Sequence, residues 1–223
     1  MTSVAAQTLG ECWQKCIQSV LEYGQPHNDE DIVICEVLGL SLEIAHPSSE
    51  DSFIARVGDS RVIDRMLKKF SKGIVMEDRP FTYGQLIYDM NGVDQFEWIL
   101  KRLRNKPETK SATVSLMLPG LNDPNLPCLN VLDAKIRNDE LHLQFFFRSQ
   151  NVFGRQYANL LAIAELQEGL ARRIGCGVGT MKGYIASAHI YEYDLADAKE
   201  LVETQSAQVT DHYYRKGPAS VRI

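Results

Sequence analysis

The sequence is short of the features that define several protein classes. Its five cysteines, Cys12, Cys16, Cys35, Cys128 and Cys176, are odd in number and scattered, so neither a disulfide framework nor a CxxC metal pair can be drawn from them. Reduced thiols are expected, no metal centre is, and one thiol is free to be present for its chemistry. No run approaches the ~18–20 apolar residues of a membrane span. The opening MTSVAAQTLGEC lacks the basic start and apolar stretch of a secretory signal, which points to a cytoplasmic protein with no membrane partner. Positive charge is not in excess either: 24 Lys and Arg stand against 29 Asp and Glu, a net charge of −5. That balance offers no general field to a polyanion, so nucleic acid is not an expected partner. Internal repeats and low-complexity tracts are missing as well.

What is there suits one globular domain over residues 1–223, with a hydrophobic fraction of 44% to build a single core. From Thr8 to Leu21 the residues Leu9, Cys12, Trp13, Cys16, Ile17, Val20 and Leu21 recur at spacings of three and four, a helix with one buried face, stopped by Gly24 and Pro26. Asp31 to His46 reads as one or two strands with a bulge near Gly39. In the polar stretch 50–80 a short helix is expected around Val62–Phe70. A clearer helix runs from Val93 to Leu103, with Val93, Phe96, Ile99, Leu100 and Leu103 on one face and Pro107 beyond its end. Thr113–Leu118 and Val131–Ile136 read as strands around the loop PGLNDPNLPC. Leu141–Phe147 pairs with the second of them through Arg137-Asn138-Asp139-Glu140. A long helix over Asn159–Leu170, reaching Arg173, a strand over Thr180–His189 and a polar helix from about Asp194 to Glu203 complete the chain. Helices and strands in this order, with hairpin signals, favour an α+β fold over a doubly wound sheet.

Three places carry potential chemistry. Cys128 sits in Leu126-Pro127-Cys128-Leu129, where a rigid loop meets a strand; a nearby cation would make its thiol a nucleophile, while the plain alternative is a small buried hydrophobe. Arg148-Ser149 follows the apolar LHLQFFF. A guanidinium at a strand end can clasp an oxyanion with the hydroxyl as a further donor, although a surface arginine also explains it. In Ser187-Ala188-His189-Ile190-Tyr191, strand alternation puts Ser187, His189 and Tyr191 on one face, where two ring groups can reach the hydroxyls of one sugar.

Taken together, Pro127-Cys128-Leu129, FFRSQNVFGRQYANL from Phe146 to Leu160 and SAHIYEYD from Ser187 to Asp194 resemble the thymidylate synthase and pyrimidine hydroxymethylase family, most of all its shorter archaeal-type members. The likeness extends upstream through FTYGQLIYDMNGVDQFEWILKRLRNKPETK, and more loosely over Trp13–Pro47. It implies a thymidylate synthase-like mixed β-sheet with flanking helices, in a homodimer packed sheet to sheet. Val33–Leu42 and Phe145–Phe147 would be the buried surface of that dimer. It also implies an enzyme that adds a one-carbon unit from 5,10-methylenetetrahydrofolate to C5 of a uracil nucleotide.

By that resemblance Cys128 is the nucleophile that adds to C6. Arg148 and Ser149 hold the nucleotide phosphate, the arginine lying near the thiol. Asn159 reads O4 and N3–H of the base, and an asparagine there favours uracil over cytosine. His189 and Tyr191 hold the sugar 3′-hydroxyl, and Tyr83, next to Gly84, organises proton transfer at C5. Asn151 and Gly154 complete the substrate-binding set. The departures are informative too. Where the family has adjacent arginines the chain has Lys110 and Ser111, the N-terminal loop His27-Asn28-Asp29-Glu30-Asp31 is acidic, Asn151 replaces an aspartate, and Leu129 follows Cys128 where bacterial relatives have histidine. No residue secures the place of the family's glutamate, and the tail Pro218-Ala219-Ser220-Val221-Arg222-Ile223 does not match its folate-closing segment. Phosphate contacts thus look depleted. Two other readings stay open: a hydroxymethylase of a cytidine or other specialised nucleotide, and a family member that binds nucleotide or a partner without the reaction.

Overall fold

The computed structural model describes residues 2–118, 120 and 126–204. Part of the PGLNDPNLPC loop and the tail from Pro218 to Ile223 lie outside the described residues. The chain forms an α+β fold around a mixed sheet of eight strands: β1 (Thr2–Ala6), β2 (Gln25–Asp29), β3 (Ile32–Ile44), β4 (Thr113–Ser115), β5 (Leu129–Arg137), β6 (Glu140–Phe147), β7 (Gln150–Asn151) and β8 (Gly177–Tyr191). The order is β1-β3-β8-β6-β5-β4, with β2 on β3 and β7 on β8. Helices α1 (Leu9–Tyr23), α2 (Ser52–Val57), α3 (Ser60–Phe70), α4 (Tyr83–Tyr88), α5 (Gln95–Asn105) and α6 (Gln156–Ile174) flank it, and a last helix covers 195–204. None of the described helices is long and apolar enough to cross a membrane.

Local chemistry accounts for these elements. Helix α1 starts at Thr8, whose side chain accepts the Glu11 N–H, and buries Leu9, Cys12, Trp13, Cys16, Ile17 and Val20. Asn138 and Asp139 both take positive φ in the two-residue turn between Arg137 and Glu140, the turn whose twist suits a hairpin. The bulge expected near Gly39 is shared by two strands. Gly39, at φ +77°, and Ala186 opposite it both drop out of the β3–β8 pairing, while Leu38 still faces Ser187 and Leu40 faces Ile185. Across this point Val37 gives way to Leu40, Leu42 and Ile44 as the core residues of β3, and Met181 and Ile185 to Ala188 and Ile190 in β8. A positive φ, open to glycine, lets the parity switch without a slip in register.

Several sequence expectations need correction. The acidic segment His27–Asp31 is not a plain loop: β2 pairs antiparallel with β3, and the turn falls at Glu30 and Asp31. Val93 lies before α5 and is 51% exposed, so it does not belong to the helix face. Short α2 and α4 and edge strand β1 lack a long enough period to show in the sequence. Phe145 and Phe147 cannot both be core and dimer surface. Period-two alternation turns them into the helix-side core, leaving Phe146 on the opposite face. There it stacks on Tyr184, with rings 5.7 Å apart, and Leu38 nearby along the sheet is 74% exposed.

Candidate active site

A cleft of about 650 Å³ opens where β6 ends and β8 continues. Five separate segments supply its walls: α3, the stretch running into α4, the loop before β5, the turn from β6 into α6, and the end of β8. Eight of the residues singled out from the sequence line it together: Cys128, Tyr83, Ser149, Asn151, Gly154, Asn159, His189 and Tyr191.

Cys128 is half-buried just before β5. Its loop is held from both sides. The Tyr83 hydroxyl accepts the Leu129 N–H at 3.2 Å, and burial, followed by the nearby Cys128 charge, pushes that phenol up. Tyr83 stands at the first turn of α4, fixed by a capping box in which Thr82 accepts the Gln85 N–H at 3.1 Å and Gln85 accepts the Thr82 N–H at 2.8 Å. Arg148 is placed differently from the others. Its Nη2 donates to the Leu126 carbonyl at 2.9 Å and its Nε to the Pro127 carbonyl at 3.2 Å, while its backbone N–H reaches the Cys128 carbonyl at 2.9 Å. The guanidinium therefore clamps the thiol-bearing loop, and it is Ser149 that lines the cleft.

Asn159, on α6, is buried; its Nδ2 donates to the Arg155 carbonyl at 3.1 Å and its Oδ1 has no partner among the described residues. With one amide hydrogen committed, this side chain keeps its Oδ1 acceptor and its second Nδ2 hydrogen unengaged. Asn151 is tied into the turn, its Oδ1 accepting the Gly154 N–H at 2.8 Å, which braces the entry to α6. His189 is buried with Nδ1 unpaired, and burial lowers its pKa so that the ring is held neutral. Tyr191 meets it edge-on at 5.3 Å, and Tyr193 stacks on Tyr191 at 5.2 Å to extend an aromatic wall. Ser187, expected beside this pair, instead hydrogen-bonds the Glu36 carboxylate and does not line the cleft. Lys110 is exposed and outside it.

Sequence reasoning missed the cations. Arg65, Lys69, Arg79 and Arg155 all line the cleft. Arg65 and Arg79 share Asp78, at 2.5 and 3.1 Å; Lys69 and Arg155 make no ion pair among the described residues. Lys69 lies 4.3 Å above the Tyr83 ring, and burial, then the Arg79 charge, lowers its pKa to about 8. The signal was present in α3: Val62, Arg65, Met66 and Lys69 follow the three-four spacing of one helix stripe, half apolar and half basic. Gln150 and Tyr193 were also missed. Among the described residues the lining carries one carboxylate, Asp194, whose pKa burial raises, and no glutamate.

A positive, partly apolar cleft with a half-buried thiol, three phenols, three amides and a neutral imidazole is equipped to bind an anionic, hydrogen-bonding ring and attack it covalently. Residues 58–215 match the family model described as thymidylate synthase. A protein of Methanopyrus kandleri named "Putative thymidylate synthase" is 30% identical over 210 residues, 87% of this chain and 95% of its own. One of the same name from Methanococcoides burtonii is 28% identical over 204 residues, 90% of this chain and 94% of its own. The chain belongs to the thymidylate synthase family, and that membership supports a methyltransferase-like role in nucleotide biosynthesis.

Proposed function

We propose that the protein transfers a one-carbon unit to C5 of a uracil nucleotide through a covalent adduct between Cys128 and C6. The observation that carries this reading is the convergence of Cys128, Tyr83, Ser149, Asn159, His189 and Tyr191 on one cleft from distant parts of the chain. The Cys128 thiolate adds to C6, the C5–C6 electron pair moves onto C5 and O4, and C5 becomes the nucleophile. Tyr83, buried beside the thiol, organises the proton that leaves C5. His189 and Tyr191 seat the sugar. Arg148 acts here as a positioning residue for the cysteine loop, and Ser149 with Arg155 and Lys69 receives the phosphate, so the cations missing from the family's usual positions have replacements within the same cleft.

The carbon comes from methylenetetrahydrofolate, which supplies an electrophilic one-carbon unit when bound. The cleft fits such a co-substrate in charge: Arg65 and Arg79 add to the cations Lys69 and Arg155 in its lining and suit the folate carboxylates. The adjoining pocket of about 430 Å³ has Asp59, Asp197 and Glu200 on its rim and repels them. Whether the new carbon would end as methyl or hydroxymethyl depends on its capture by hydride from the tetrahydrofolate, which would leave as dihydrofolate, or by water. Incubating the protein with methylenetetrahydrofolate and a panel of uracil and cytosine nucleotides, followed by mass spectrometry, tests the reading. A product heavier by one methyl or hydroxymethyl group supports it; no product and no C5 hydrogen exchange with any member would sink it and leave a binding protein.

The phosphate site gives a pH prediction. Lys69 is charged below a pKa of about 8, so nucleotide affinity is greatest near neutral pH and falls several-fold between pH 7 and pH 9 as the ammonium is lost. Lys69→Arg, charged throughout, flattens that limb in a calorimetric titration. A wild-type profile already flat over this range would remove Lys69 from the anion site. The family reading also pairs two copies through the helix-free face around Leu38, Phe146 and Tyr184, because an exposed apolar sheet face needs a cover. Sedimentation should then show a dimer at micromolar concentration and a monomer for Leu38→Glu; a wild-type monomer would exclude the pairing.

A further inference from the structure

Gln150 is only 4% exposed, lines the cleft, and has no hydrogen-bond partner for either Oε1 or Nε2 among the described residues. Native proteins rarely leave a buried amide wholly bare, and such groups call for an explanation. Strand β7 runs beside β8 with Gln150 opposite Ala188 and Asn151 opposite His189. Ala188 belongs to the helix-side core. Side chains alternate along a strand, so Gln150 faces the same side as Ala188, which is the side where α6 presents Asn159.

The two amides are not equivalent. Asn159 spends Nδ2 on the Arg155 carbonyl and keeps Oδ1 bare; flipping it would set oxygen against oxygen, so this orientation follows from the network. It therefore offers a ligand its Oδ1 and one remaining Nδ2 hydrogen, whereas Gln150 offers its whole amide. A ring edge with an N–H beside a carbonyl oxygen satisfies the pair: the N–H donates to Asn159 Oδ1, and the carbonyl accepts from Gln150 Nε2.

We propose that Gln150 is a specificity-determining residue, the second amide of a two-amide reader that, with Asn159, recognises the lactam edge of a pyrimidine base. The inference rests on the cleft being a pyrimidine nucleotide site. It assigns uracil over cytosine, whose unprotonated ring nitrogen would face the Asn159 oxygen lone pairs.

The test is a cycle between protein and ligand. Uridine-type nucleotides with oxygen, 2-thio or 4-thio groups are titrated calorimetrically into wild type, Gln150→Leu and Gln150→Met. Sulfur is a poor acceptor, so one thio analogue should bind wild type about tenfold more weakly than its oxygen parent, and that penalty should shrink to within twofold in either variant. Removing a bare buried amide should also leave the unliganded variants no easier to unfold in denaturant. Equal thio penalties in wild type and variants would overturn the role of Gln150 alone. A wild-type protein that binds none of these nucleotides would overturn the proposed function and this inference with it.

Discussion

Replacing Cys128 by alanine should lower the release of tritium from C5 of the pyrimidine by about 10⁴-fold or more. The whole route depends on sulfur adding to C6, and among the described residues no other thiol lines the cleft. Cys12 and Cys16 are buried under α1, where a hydrogen bond between their thiols, then burial, holds the Cys12 thiol well above the usual range. Cys35 and Cys176 lie away from the cleft, each raised first by burial. Removing a covalent nucleophile takes away the low-barrier path itself, which places the effect at the large end of catalytic substitutions. Stability should change by less than about 1.5 kcal/mol, since a half-buried thiol gives up little packing. The readouts are tritium in water and a denaturant midpoint. Exchange within tenfold of wild type would show that the thiol is not the nucleophile.

Gly84→Ala should be the most damaging glycine-to-alanine change among the described residues. A Cβ there would stand 2.0 Å from the Ser71 carbonyl oxygen and 2.8 Å from its carbon. Both are backbone atoms and cannot rotate aside. The clash drives α4 away from the end of α3, which should cost about 3 kcal/mol, the upper end of the overpacking range. It also moves Tyr83 from the Leu129 N–H, so C5 exchange falls alongside stability. Gly169→Ala supplies the contrast: within α6 its new methyl would meet only a Phe96 ring atom, at 3.7 Å, and alanine is the better helix former by roughly 0.5–1 kcal/mol. Urea unfolding of the two variants should move the midpoint in opposite directions. A Gly84→Ala protein as stable as wild type would mean that α4 packs less closely on Ser71 than described.

These two residues show which parts of the molecule could be read from sequence. The period-3.6 faces of α1 and α5 and the Asn138-Asp139 hairpin were legible because each is encoded within a dozen residues. Gly84 was legible only as half of a Tyr-Gly pair; its reason is a contact with Ser71 made by the fold. The capping box Thr82-x-x-Gln85 was in plain view and would have located α4. Strands β1 and β2 were hidden because Thr2–Ala6 is too short to alternate clearly and Gln25–Asp29 is exposed along its whole length.

At the site, the residues in the motifs around Cys128, Ser149, Asn159 and His189 did meet in space. Arg148 has a partner that no motif shows: its Nε and Nη2 donate to the carbonyls of Pro127 and Leu126 on the cysteine loop. Position by position, Lys110, Ser111 and the acidic His27–Asp31 segment leave the phosphate short of cations. Arg65, Lys69 and Arg79 come from a region with no clear motif: α3 brings Arg65 and Lys69 to the cleft by packing against α6 and α4, and Arg79 arrives on the stretch that leads into α4. Charge supplied from a different element is invisible to a position-by-position comparison.

The central claim is covalent attack by Cys128 on C6, and the most direct measurement is to trap it. A nucleotide of 5-fluorouracil, in deoxy and ribo forms, can accept the thiolate but cannot lose its C5 substituent as a proton, so an adduct that also carries the folate accumulates. Intact mass should rise by the sum of nucleotide and methylenetetrahydrofolate, and peptide mapping should place that mass on Cys128. A protein whose mass does not change with either nucleotide, or whose added mass maps to another residue, would contradict the account.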